Sequence, residues 1–206
     1  MDARVSRASP PWRLAFPRLW HMAWGWGAIG VAYVLAMAVE GRGTPLAESA
    51  VDRAVPFDVG GVWLYLSFFL LVPAGYLFAA PSRLPWLMRA MQGCALVSGA
   101  VFLLWPTTLA AYPPIAGDSL AAAAMRLLAA VDSRQNCVPS LHAALTALSV
   151  AALVEARRPW RSAALAGWGC AILVAILQTR RHLSIDIAAG LALAFACGLA
   201  ARRLVR

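Results

Sequence analysis

Long uncharged apolar runs alternate along the chain with short segments that hold its charges, prolines and glycines. Five of the runs, at 19–39, 59–82, 90–117, 135–154 and 162–179, have 18 or more residues. A helix of about 20 residues crosses the ~30 Å hydrocarbon core of a bilayer. A sixth run, 187–201, is long enough when its helix begins near Ser184 and includes Asp186 close to one end.

The pattern therefore predicts an all-α integral membrane protein with one domain, residues 1–206. We expect six transmembrane helices, at about 20–39, 62–80, 86–106, 138–154, 160–178 and 184–201. Residues 119–131 are mainly strong helix formers around Arg126, but this segment is too short to span a bilayer. We predict that it forms a short interfacial or buried helix before the fourth span.

Composition agrees with a membrane protein, because hydrophobic residues make up 62% of the chain and the mean hydropathy is +0.70. The net charge is +9, and all 18 basic residues are arginines spread between the spans, so nucleic acid is not an expected partner. Most of them fall in the N-terminal segment, the second and fourth loops and the C-terminus. The positive-inside rule then predicts a cytoplasmic (inner) membrane with both termini in the cytoplasm. A lysine-free, alanine-rich chain is also typical of high-GC bacterial genomes.

Two of the three histidines fall at the starts of predicted spans on the same, outer side. These are His142 and His182, and Asp186 follows His182 by four residues. On a helix that spacing puts a carboxylate within reach of the imidazole, where it fixes the tautomer and leaves the other ring nitrogen free as a nucleophile. His142 can then protonate a departing oxygen. This division of roles predicts phosphoryl transfer.

A phosphate group also needs donors. The start of the fourth helix offers backbone N–H groups and the Ser140 hydroxyl, and Arg180 lies two residues before His182. Arg134 and Arg126 are weaker candidates, since a loop arginine is often paired or solvated. Arg181 has two readings of similar weight, phosphate binding or contact with lipid head groups.

Other readings of these residues are structural or concern a different chemistry. His21 lies on the opposite side and is expected to pack or face the interface, while Asp52 and Asp58 are expected to be solvated loop residues. Two histidines and a carboxylate are also the ligands of some metal sites. The four cysteines form no CxxC pattern, and we expect neither metal nor cofactor. A non-enzymatic transporter or scaffold is the remaining class, although transporters tend to hold ionisable groups near the midplane.

At these residues the chain resembles the type 2 phosphatidic acid phosphatase superfamily, and within it the branch related to inositol phosphorylceramide and sphingomyelin synthases. The resemblance rests on "NCVPSLHAA" at 136–144 and "TRRHLSIDIAAG" at 179–190. It implies a six-helix fold without a metal cofactor and a phosphohistidine on His182. It also implies that Asp186 supports this histidine and that His142 serves as acid and base.

The chain departs from the superfamily pattern in its basic residues. It has no lysine, "WPTTLAAYPP" at 105–114 lacks the basic residues of the first block, and Ala175 and Ile176 stand where a serine and an arginine are usual. Phosphate binding is therefore expected to use Arg180, the start of helix four and Arg134 or Arg126. The predicted function is a lipid-phosphate phosphatase or phosphotransferase, with a phospholipid head-group transferase as the alternative, and the sequence does not choose between them.

Overall fold

The computed structural model describes residues 11–37 and 43–205, with side chains from residue 15 onwards. Eleven regular elements follow one another in this part of the chain: α1 (Pro11–Met37), β1 (Thr44–Leu46), α2 (Ala50–Ala54), α3 (Val62–Leu66), α4 (Phe68–Phe78), α5 (Leu84–Leu104), β2 (Thr107–Leu109), α6 (Leu120–Val131), α7 (Leu141–Leu153), α8 (Pro159–Gln178) and α9 (Ser184–Leu204). Short 3₁₀ turns precede α3 and α5. Residues 38–39 of the first predicted span, and Arg4, Arg7, Arg42 and Arg206 of the charge pattern, lie outside the described residues.

The described chain is mostly helical, and four of its helical stretches are long and apolar enough to cross a membrane. They are Val59–Phe78, Pro81–Leu104, Pro159–Gln178 and Ser184–Leu204. This confirms the helical membrane class, while the count of six spans stays a prediction. Helix α1 has the length but carries charged residues and Pro17 in its first half. Helix α7 has 13 residues, which corresponds to about 20 Å.

Helix α7 is short because it lies inside the bundle. It contacts α4, α5, α8 and α9, and most of its side chains are buried. Helix α7 begins at Leu141, inside the predicted span at about 138–154. Ser140 caps it by accepting a hydrogen bond from the backbone N–H of Ala143 at 3.3 Å. His142 therefore lies in the first turn. Neighbouring helices surround this short helix. A lipid-facing segment of this length would lack such protein partners.

The N-terminal ends of α7 and α9 touch through their backbones. The N–H of Ser140 donates to the carbonyl of Asp186 at 3.0 Å. This approach requires a glycine on α9, since a Cβ at Gly190 would overlap the carbonyl oxygen of Ser140 and lie 3.1 Å from its carbonyl carbon. The contact fixes the distance between the two helix ends that carry the predicted catalytic residues.

The loops between α1 and α3 and after α5 fold over this end of the bundle, and one prediction about them is wrong. Strands β1 and β2 form a parallel pair with Thr44 opposite Thr107. Asp52, expected to be solvated, is fully buried because its carboxylate accepts hydrogen bonds from the backbone N–H (2.6 Å) and hydroxyl (3.1 Å) of Ser184. It thereby caps α9 from another segment. Asp58 is exposed, as expected, and caps the turn before α3.

Candidate active site

Three predicted residues form a connected chain at the α7 and α9 ends. Nδ1 of His142 lies 3.3 Å from Nε2 of His182, and Nδ1 of His182 lies 3.3 Å from a carboxylate oxygen of Asp186. Asp186 is fully buried and His182 is 6% exposed, so the pair is shielded from bulk water. Low local dielectric strengthens such contacts. The arrangement joins a carboxylate, a histidine and a second histidine in that order.

The contact between His182 and Asp186 arises differently from the prediction. The four-residue spacing suggested one helical face, but His182 precedes α9, which begins at Ser184. Asp186 is the third residue of that helix, and its Oδ2 accepts the backbone N–H of Leu183 at 2.9 Å. A carboxylate at this position folds back over the helix start. Capping therefore turns the Asp186 side chain towards the histidine that precedes the helix.

The two neighbouring arginines point in different directions because helix α8 ends in a Schellman motif. The N–H of Arg180 bonds to the carbonyl of Leu177, the N–H of Arg181 bonds to that of Ile176, and Arg180 has φ of 51°. The Arg180 guanidinium donates to the carbonyls of Asp52 and Val55 at 2.7 and 2.8 Å. Arg180 thus holds the loop that contains Asp52 and Val55, and the structure does not bring its guanidinium to the histidines.

Arg181 instead lines a small pocket together with the two histidines. It is paired with Asp132, which was not among the predicted site residues. Its side chain is 3% exposed, and it donates to the Asp132 carboxylate at 2.8 and 3.0 Å. Tyr33 also donates to this carboxylate, and the Tyr65 hydroxyl lies 3.3 Å from it. Burial alone raises the pKa of Asp132, but attraction to His142 and Arg181 and the Tyr33 hydrogen bond together bring that pKa below its ordinary value. Asp132 is therefore ionised at neutral pH.

The other predicted phosphate ligands are not among the residues that line the pocket with the two histidines. Ser140 is fully buried, and its side chain is engaged in capping α7. Arg134 is exposed, with its guanidinium 5.5 Å from the Tyr112 ring centre. Arg126 is exposed on α6 and donates to the carbonyl of Gly117 at 2.9 Å. Of the predicted arginines, the structure brings Arg181 to the histidines.

Asn136 and Cys137, between α6 and α7, also lie at the site. They begin the "NCVPSLHAA" segment at 136–144, but neither was predicted as a site residue. Asn136 is 3% exposed, has φ of 67°, and its amide oxygen and nitrogen have no hydrogen-bond partner among the described residues. It lines a small polar pocket together with His142, Arg181 and His182. Buried amides are normally paired, so this one is a candidate ligand-binding group.

Cys137 lies beside the histidine and carboxylate. Its sulfur and ligand-type atoms of His182 and Asp186 fall within 4.8 Å of one another, a donor set different from the two-histidine metal site considered from the sequence. Burial, followed by the nearby Asp186 charge, raises the pKa of the thiol to about 12. A metal-binding cysteine is a thiolate, so these surroundings favour a neutral thiol next to a His182–Asp186 pair.

An apolar cleft of about 530 Å³ between α1, α4, α6 and α7 leads to the same place. Met22, Trp26, Ile29, Phe69 and Leu128 are among its apolar lining residues. At its polar end it shares Tyr33, Asp132, Leu141 and His142 with the small polar pocket. An apolar cleft that meets a polar pocket suits a ligand with both characters.

Comparison with known protein families identifies the family to which this chain belongs. A profile of the PAP2 superfamily matches residues 58–200, which include both histidines, Asp132 and Asp186. The chain belongs to the PAP2 superfamily. No curated protein and no solved structure matched it. Membership in the PAP2 superfamily indicates a phosphatase or phosphotransferase, and for this PAP2 protein the apolar helices indicate action in a membrane.

Proposed function

We propose that this PAP2 protein is a metal-independent lipid-phosphate phosphatase or phosphotransferase that works through a phosphohistidine on His182. The observation that carries the proposal is the chain of contacts from Asp186 through His182 to His142, at 3.3 Å each, where the apolar cleft meets the polar pocket. The cleft supports a lipid substrate, since an acyl chain needs apolar surface next to the reacting phosphate. The arginine distribution supports an active site at the outer face of a cytoplasmic membrane.

In the first half-reaction, Nε2 of His182 attacks phosphorus and the bond to the leaving oxygen breaks. Asp186 accepts the Nδ1–H of His182 and stabilises the positive charge that develops on the ring. His142 transfers its Nδ1 proton to the leaving oxygen. In the second half-reaction His142 removes a proton from the acceptor, whose oxygen then attacks the phosphohistidine and releases His182.

Substrate binding must separate the two imidazole rings. In an in-line displacement the attacking and leaving atoms lie on opposite sides of phosphorus, whereas the rings here are in direct contact. Catalytic contacts in ligand-free proteins commonly differ from those in the substrate complex. The Asn136 amide and the Nη1 of Arg181, which makes no hydrogen bond to the described residues, are the donors proposed for the phosphate oxygens.

The pocket charges favour a second candidate, head-group transfer from a phospholipid. Among the described residues that line the polar pocket, Arg181 is the one permanent cation and Asp132 the one acid, and they are paired. A nearly neutral pocket suits a singly charged phosphodiester better than a doubly charged phosphomonoester. With a phosphomonoester as substrate and water as acceptor the enzyme is a phosphatase, and with a phospholipid as donor and a lipid alcohol as acceptor it is a head-group transferase.

The test uses purified protein, a panel of phosphomonoester and phosphodiester lipids, and a chelator throughout. We expect chelator-resistant turnover and an acid-labile phosphoenzyme in the parent protein, and loss of both in His182→Ala. His21→Ala is the matched control, because His21 contacts the carbonyl of Pro17 on α1 and no site residue. Released phosphate or transferred head group separates the two candidates. Equal activity in the parent and His182→Ala, or none on any lipid, would support the non-enzymatic class.

A further inference from the structure

His142 has a second ring nitrogen, and a buried tyrosine holds it. Nε2 of His142 lies 2.9 Å from the hydroxyl of Tyr65, while Nδ1 faces His182. Tyr65 is 1% exposed, and its ring packs against His142 with centres 4.9 Å apart. The ring of Phe68 also packs against the imidazole, with centres 4.8 Å apart. The ring of His142 is therefore fixed by packing as well as by its polar partner.

The same tyrosine hydroxyl also reaches a carboxylate. It lies 3.3 Å from Oδ2 of Asp132, which Arg181 holds in place. An ionised carboxylate only accepts hydrogen bonds, so the Tyr65 hydroxyl donates its hydrogen bond to Asp132. The hydroxyl oxygen then accepts a hydrogen bond from Nε2–H of His142. With this assignment both contacts of Tyr65 are hydrogen bonds at the same time, one donated and one accepted.

We propose that Tyr65 connects Asp132 to His142 and thereby fixes the tautomer in which Nδ1 is the reactive nitrogen. The inference rests on the proposed function. His142 loses its Nδ1 proton to the leaving oxygen as the His182–phosphorus bond forms, while its Nε2–H stays donated to Tyr65. Asp132 stabilises the imidazolium before this transfer and again after His142 deprotonates the acceptor. Each histidine is thus supported by a carboxylate, His182 directly and His142 through Tyr65.

Tyr65 and Asp132 are positioning residues, since they act through His142. Tyr65→Phe keeps the ring and its packing but removes the connection. Tyr33→Phe is the matched control, because its hydroxyl also donates to Asp132 and accepts from the N–H of Ser133, yet it contacts no histidine. Both variants remove one hydrogen-bond donor from the Asp132 carboxylate, so an effect that comes only from this loss is expected in both.

We expect Tyr65→Phe to lower kcat by about 10- to 100-fold with little change in KM, because the loss falls on proton transfer. Tyr33→Phe is expected to lower it far less. The pH–rate limb that reports the His142 proton moves to lower pH in Tyr65→Phe, since Asp132 no longer supports the imidazolium. Thermal unfolding in detergent checks that both variants are equally folded.

Leaving-group dependence separates this role from a structural one. An alkyl phosphate needs protonation of its leaving oxygen, whereas p-nitrophenyl phosphate carries a good leaving group and needs it much less. The rate of phosphoenzyme formation in Tyr65→Phe is expected to fall at least about 10-fold more with the alkyl substrate. Equal losses on both substrates, or equal losses in Tyr65→Phe and Tyr33→Phe, overturn the inference. If the parent protein forms no phosphoenzyme, the proposed function itself fails.

Discussion

Replacing Gly190 by alanine tests whether the backbone contact between α7 and α9 sets the catalytic geometry. An added Cβ would overlap the carbonyl oxygen of Ser140, and it would lie 3.2 Å from the Cβ of Ala143. Because non-bonded heavy atoms are comfortable at about 3.5–4.0 Å, α9 must move about 1 Å away from α7. His182 and Asp186 belong to the α9 side and His142 to the α7 side. The two histidines therefore separate.

The expected cost has two parts. Overpacking at a helix contact destabilises by about 1–3 kcal/mol, and a shift of about 1 Å between reacting groups lowers kcat by about 100-fold. Unfolding temperature in detergent measures the first part, and single-turnover phosphoenzyme formation measures the second.

Gly167→Ala is the matched control for this prediction. A Cβ at Gly167 on α8 meets no atom within 4 Å, so alanine there stabilises the helix by about 0.5–1 kcal/mol and spares activity. The reasoning is refuted if Gly190→Ala has the rate and stability of Gly167→Ala.

Three further predictions concern the phosphate donor Asn136, the apolar cleft and the buried acid Asp52. Asn136→Asp is expected to weaken inhibition by inorganic phosphate about 10- to 100-fold, and more than Asn136→Gly, which suits the φ of 67° but only removes the donor. Gly30 lines the cleft, and no atom lies within 4 Å of the position of an added Cβ. We therefore expect Gly30→Trp to raise KM for long-chain lipids about 10-fold and to affect p-nitrophenyl phosphate far less. Burial raises the pKa of Asp52, but hydrogen bonds from Ser49 and Ser184 lower it below 3.8 overall, so its stabilisation is present above that pH and lost as pH falls through the lowered value. Unfolding temperature is therefore expected to fall less steeply with acid in Asp52→Asn, and equal slopes in both proteins would contradict this.

The sequence identified the features that depend on local spacing and helix capping. Helices α8 and α9 cover the predicted 160–178 and 184–201, and His182 contacts Asp186 as expected, although through a cap rather than one helical face. Asp52 was misjudged although a signal existed. Ser49 and Asp52 form a capping box, the short motif of a serine followed three residues later by an acid.

Features that depend on distant contacts had no such signal. The choice between Arg180 and Arg181 follows from a left-handed residue at the end of α8, and no glycine marks that position. Asp132 meets Tyr33 and Tyr65 across 99 and 67 residues of sequence. Neither periodicity nor spacing reports a pairing of that separation, because it depends on how α1, α3 and α6 pack.

Asp132 links two features of this chain, the support of His142 and the nearly neutral pocket. Its carboxylate pairs with Arg181 and, in the inference above, supports His142 through Tyr65, so one acid both aids proton transfer and weakens anion binding. Asp132→Asn separates these effects. We expect inorganic phosphate to inhibit about 3- to 10-fold more strongly, because Arg181 regains its uncompensated charge, while kcat falls. Structural damage lowers both binding and turnover, so weaker phosphate inhibition together with lower kcat would count against this role of Asp132. Tighter inhibition with slower turnover would also support the proposed preference of this site for singly charged phosphodiesters.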